Sequence, residues 1–174
     1  LDQTALYAEG GGQLSDQGTL TRGSDSFHVG HIESVEGVLL HEIEDHDLKK
    51  GDKVHGTVDW DRRSALMRAH TATHIILGSA RRVLGEHAWQ AGASKTVERA
   101  RLDISHYSRL TREQIDKIEQ LANQVVREGR PVACKFMPRN EAESRYGFRL
   151  YQGGVVPGKD IRIVDMGDWD VEAC

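Results

Sequence analysis

The spacing of apolar positions changes character near residue 60. Before that point, short alternating runs such as Phe27-His28-Val29-Gly30-His31-Ile32 and Lys53-Val54-His55-Gly56-Thr57-Val58 are divided by turn clusters at Gly10-Gly11-Gly12, Asp16-Gln17-Gly18, Arg22-Gly23-Ser24-Asp25, Glu36-Gly37 and Lys50-Gly51-Asp52. Period-two runs broken by glycine turns predict short strands, and several in succession predict a small β-barrel over residues 1–60. After Asp61 the period becomes helical: Ala65, Leu66, Ala69, Ala72, Ile76, Leu77, Ala80 and Val83 form one stripe over 62–84, with Gly85 as the stop. A second helix is framed by Thr111 and Gln114 in a capping-box pattern and by Gly129 and Pro131, with Ile115, Ile118, Leu121, Ala122 and Val125 as its stripe. Strands are predicted at 97–105, 132–137, 148–151, 160–165 and 168–173, and a short helix at 140–146. The fold class is therefore α+β: a barrel over 1–60, then a two-layer helix-on-sheet core over 61–174.

Composition narrows the class without naming a function. The 174 residues are 38% hydrophobic and 29% charged with a net charge of -4, values of a globular domain and not of a disordered one. No apolar run approaches the ~20 residues of a membrane span, and no signal peptide opens the chain, so a cytoplasmic protein with no membrane partner is expected. Two cysteines, Cys134 and Cys174, make no disulfide framework. The chain begins without methionine and ends on Cys174, and is expected to be part of a larger polypeptide.

Charge changes the picture once it is divided. Residues 1–60 hold 4 Lys and Arg against 12 Asp and Glu, whereas residues 61–150 hold 17 against 10, and 14 of those 17 are arginine. An arginine-rich middle suits phosphate, and a salt-bridged helical surface has the same composition.

Three groups of residues could carry chemistry. His70 and His74 lie four apart on the first helix, so both imidazoles point the same way and could share a metal; a purely structural pair has the same spacing. Thr71 stands where a helical metalloprotease needs its glutamate, which disfavours peptide hydrolysis by that route. Cys134 falls in an apolar strand pattern and reads as core, while Cys174 ends an alternating strand, where ligands project. Gly10, Gly11 and Gly12 could admit a ligand close to the backbone, with Thr4 and Gln13 supplying a hydroxyl and an amide, or could be a plain turn. No phosphate-binding P-loop is present.

Together these motifs resemble one family. Thr4 through Gln13 is similar to the T-x-F-Y-x-E-x-G-G-Q motif of the editing domains of alanyl-tRNA synthetases and free-standing AlaX-type editing proteins, with Leu6 in place of the family's aromatic. His70 and His74 match the family's H-x-x-x-H, Cys174 matches the start of its C-x-x-x-H, and Arg101-Leu102-Asp103-Ile104-Ser105-His106 is similar to a further stretch. The resemblance implies hydrolysis of the ester in alanine tRNA mischarged with serine or glycine. It implies Thr4 and Gln13 as catalytic-site residues, Gly10, Gly11 and Gly12 as substrate-binding residues, and zinc on His70, His74 and Cys174. The family's last histidine lies beyond Cys174, so zinc is expected to be weak or absent in this chain. The implied partners are the acceptor end of alanine tRNA and the rest of a synthetase, with arginines 62, 63, 68, 81 and 82 as candidates for its phosphates. A free-standing deacylase, a non-catalytic tRNA-binding module and a threonyl-tRNA editing domain are the alternatives.

Overall fold

The computed structural model describes residues 1–152, 154, 156 and 158–173. The chain divides into two compact units, Leu1–His70 with Ser94–Arg99, and Thr71–Ala93 with Ala100–Cys174.

In the first unit, β1 (Gly18–Arg22), β2 (Asp25–Val35), β3 (Val38–Ile43) and β4 (His55–Val58) form an antiparallel sheet in the order β3-β2-β1-β4. This is an open sheet with β3 and β4 as its edges, where a closed barrel was expected; closure would need those two edges to pair. Leu6, Leu20, Val29 and Ile32 make the core beneath it, joined by Ile43, Val54 and Val58. Gly18 permits the close approach of β1 and β4, since a Cβ there would lie 2.3 Å from the Thr57 carbonyl oxygen.

The long helix α1 (Trp60–Leu84) contains the boundary between the units, after His70. The Asp59 carboxylate accepts from the Arg62 N–H at 3.1 Å and so satisfies one of the first-turn donors, and at the other end the Gly85 N–H donates to the Arg81 carbonyl.

The second unit contains α2 (Arg112–Glu128), which starts and ends where its caps predict. Thr111 and Gln114 bond reciprocally, Gly129 adopts the left-handed conformation at φ 60°, and Ile118, Ala122 and Val125 are its buried stripe. Ala122 and Val125 pack with Ile75, Met166 and Trp169. A three-stranded antiparallel sheet, β7 (Ala133–Pro138), β8 (Asp160–Asp165) and β9 (Val171–Ala173), is covered by α3 (Arg139–Tyr146) through Ala142, Met137, Ile161 and Ile163. Two elements differ from expectation. Residues Phe148–Leu150 form a 3-10 turn instead of a strand, and β5 (Trp89–Lys95) pairs with β6 (Ala100–Ser105) although only the latter was anticipated. Among the described residues no helix is long and apolar enough to cross a membrane.

Candidate functional site

In the first unit, the three glycines are a defined turn. Gly10 and Gln13 exchange backbone hydrogen bonds of 3.2 and 2.9 Å, and the two residues between them both have positive φ, 58° at Gly11 and 74° at Gly12. That is the two-residue hairpin turn for which glycine is the preferred residue. Its far side delivers Gln13, which is buried, and the Gln13 Oε1 accepts from the His70 Nδ1–H at 2.9 Å. A Cβ on Gly11 would lie 3.1 Å from the His70 ring, so the turn and the imidazole are fitted to each other.

Lys95 holds this turn from the other side, a role that sequence reasoning missed. The Lys95 backbone N–H donates to the Gly12 carbonyl at 2.7 Å, and its Nζ donates to the Gly11 carbonyl at 2.5 Å, while Leu14 donates back to the Lys95 carbonyl. The whole side chain is enclosed, at 1% exposure. Lysine is almost never so buried without a specific partner, and nothing in the local pattern marks this one.

Thr4 is held in the same unit through a different residue. His41 Nδ1–H donates to the Leu39 carbonyl at 3.2 Å, which leaves Nε2 to accept from the Thr4 hydroxyl at 2.9 Å. The Leu6 N–H donates to the same hydroxyl oxygen at 3.1 Å. Burial lowers the His41 pKa, which keeps the ring in the neutral form this bond requires. Thr4 borders a cavity of about 360 Å³ shared with Leu6, Leu20, Val54 and Val58. Among the described residues no hydrogen bond joins Thr4 to Gln13.

In the second unit, His74 is enclosed and its Nδ1 meets the Glu172 carboxylate and, at 2.6 Å, the Gln152 side-chain nitrogen. Glu172 is fully buried, and its other oxygen lies 3.6 Å from Arg81, which also reaches Asp170 at 3.4 Å. Burial raises the Asp170 pKa against the pull of Arg81, and burial lowers that of Arg81 against Asp170. Neither Glu172 nor Gln152 was singled out from sequence. The alternating segment ending at Ala173 puts Glu172 on the face opposite Val171 and Ala173, where a charged residue reads as exposed.

Both histidines thus place Nδ1 against a protein side chain, and a fixed Nδ1 partner is the usual support for a histidine that binds a metal through Nε2. Cys174 lies outside the described residues. Among the described residues no three His, Cys, Asp or Glu side chains gather closely enough to hold an ion. Cys134, expected in the core, is exposed and free, with Arg162 3.1 Å from its sulfur.

The arginines of α1 are largely committed within the protein. Arg63 binds the buried Asp16 carboxylate, which raises its pKa, and also the Ala5 carbonyl; Arg62 reaches the Ser15 carbonyl at 3.1 Å. Arg81 is buried as described, and Arg82 donates to the Trp169 carbonyl at 2.7 Å while lying 3.7 Å over that ring. Arg68 bonds Ser64 and remains exposed. Most of this charge therefore fixes structure, the plainer of the two expectations.

Comparison with known proteins gives a consistent result. Residues 1–62 match the family model described as tRNA synthetases class II (A). Over its whole length the chain is 54% identical to part of an alanine--tRNA ligase of Thermococcus kodakarensis, and 53% identical to part of one from Methanothrix thermoacetophila. It is 50% identical to part of one from Pyrobaculum aerophilum. The chain spans about a fifth of these relatives, 19% of the first two and 20% of the third.

Proposed function

We propose that this chain is the editing region of an alanine--tRNA ligase, hydrolysing the ester of alanine tRNA that carries serine or glycine. One observation carries the reading: the Gln13 amide, at the end of the glycine turn, is bonded to His70, the first histidine of the H-x-x-x-H pair. Two motifs 57 residues apart in sequence are thereby in contact, which supports reading them as parts of one site.

The ester is an activated bond, so the protein must position it, supply a water and stabilise the developing oxyanion. The turn residues Gly11 and Gly12 leave the backbone uncovered by side chains, and Lys95 fixes their carbonyls so that the turn keeps its shape. Gln13 holds the His70 ring and can orient a water or the substrate amine with its remaining amide group. Thr4 distinguishes the amino acid. Its hydroxyl, which bonds His41 and accepts from the Leu6 N–H, would give a serine hydroxyl a partner that alanine cannot use. Zinc, if bound by the ligands that the resemblance implies, His70, His74 and Cys174, would supply a Lewis acid for water or carbonyl.

The test is release of amino acid from alanine tRNA charged with serine or with alanine. The wild type is expected to release serine faster, and Thr4→Val to bring the two rates together while preserving the release of glycine. No release of either amino acid by the wild type rejects the reading.

A further inference from the structure

The second unit carries an aromatic stack that the proposed hydrolysis does not use. His87, in the loop after α1, and His106 and Tyr107, directly after β6, place three rings in contact: His87 and His106 are stacked at 5.0 Å, and Tyr107 lies 4.3 Å from His106 and 5.2 Å from His87. The arrangement is built, not incidental. The His87 Nε2 and His106 Nδ1 share a hydrogen bond of 2.8 Å, and the Ser105 hydroxyl lies within bonding distance of the His87 and Trp89 carbonyls. Gly85, at φ 112°, admits the His87 ring where a Cβ would stand 3.1 Å from it.

Stability does not explain the stack. Tyr107 is 84% exposed, so its ring contributes little burial, and the His106 Nε2 is enclosed without a hydrogen-bond partner among the described residues, which costs stability. A tyrosine resting on two imidazoles with its outer face open is instead suited to a planar ligand. Charge narrows that ligand: of the three arginines in residues 100–112, Arg101 pairs with Asp103 and Arg112 with Asp116, while Arg109, two residues after Tyr107, has no ion pair among the described residues. A flat ring beside a negative charge is the chemistry of a nucleotide.

We infer that Tyr107, supported by His106 and His87, is a stacking platform for an unpaired nucleobase of RNA, with Arg109, two residues on in sequence, to meet a phosphate. The choice of RNA rests on the reading of the chain as acting on tRNA. Stacking on an aromatic side chain tolerates any base, so the platform would hold a single-stranded end without reading its sequence.

The probe is an RNA hairpin with a four-nucleotide single-stranded 3′ end carrying 2-aminopurine, compared with a blunt hairpin of the same stem, titrated into the full protein. The wild type is expected to bind the overhanging hairpin more tightly and to quench the 2-aminopurine. Tyr107→Phe keeps both effects; Tyr107→Leu loses the quenching and binds the overhang roughly 5- to 100-fold more weakly, with the blunt hairpin unaffected. Because Tyr107 is exposed, the fold is not at risk, and circular dichroism checks it. The inference is overturned if Tyr107→Leu behaves as wild type, if Tyr107→Phe fails as badly as Tyr107→Leu, or if the wild type does not distinguish the two hairpins. Tyr107-dependent quenching by a protein that releases no amino acid from mischarged tRNA would reject the deacylase and keep the platform; amino-acid release without such quenching would do the reverse.

Discussion

His70 and His74 lie four residues apart on one helix and are each held at Nδ1, yet the groups that hold them differ in kind. His70 is fixed by a neutral amide, Gln13, delivered by a tight turn. His74 is fixed by a carboxylate, Glu172, that belongs to a buried charged group with Arg81 and Asp170. A neutral partner can be lost at the cost of one hydrogen bond, whereas a buried carboxylate cannot be removed without stranding the cation beside it. The first support can therefore serve chemistry with little effect on the fold, and the second is structural as much as chemical.

The largest expected effect breaks the second support. Glu172→Ala should destabilise the protein by about 3–5 kcal/mol, because Arg81 loses one of its two buried partners and His74 its acceptor. Gln13→Ala should cost only about 1–3 kcal/mol. Urea unfolding of the two variants measures the difference directly, and equal losses would remove the distinction between the supports. A smaller effect sharpens the first support: Gly11→Ala forces a left-handed backbone on alanine and sets its Cβ against the His70 ring, with an expected cost of about 1–2 kcal/mol. The accompanying sign is a displaced His70 imidazole signal in NMR; an unmoved signal would show that turn and ring are not fitted to each other. Smallest is Thr111→Ala, remote from both histidines in sequence. It removes the α2 capping box at about 1 kcal/mol, seen as a lower Tm with no change in amino-acid release.

How far the sequence foretold this structure depended on whether a residue's role was local. Helix α2 was legible to the residue because Thr111, Gln114 and Gly129 act on their own backbone. Strand β5 was not, because Gln90-Ala91-Gly92-Ala93-Ser94 has low strand propensity and is held by pairing with β6. The alternation in β7 was visible but assigned to the wrong face: Lys135 and Met137 turn toward α3 and the core while Cys134 and Phe136 face solvent, since Lys135 can place its ammonium on the Tyr146 hydroxyl. The open sheet in place of the barrel is of the same kind, as pairing of the edges β3 and β4 is a tertiary matter that strand pattern leaves free. In the candidate site, Gln13 and the two histidines were legible through their motifs. Lys95 and Glu172 were not, because a charged residue is read as surface until a partner for it is seen.

The bond between Gln13 and His70 is the center of this account, and single-turnover release of serine from mischarged alanine tRNA tests it most directly. Gln13→Ala, shown to be folded by circular dichroism, is expected to release serine at least tenfold more slowly than the wild type. Equal rates would contradict the claim that this amide joins the glycine turn to the histidine helix in a working site.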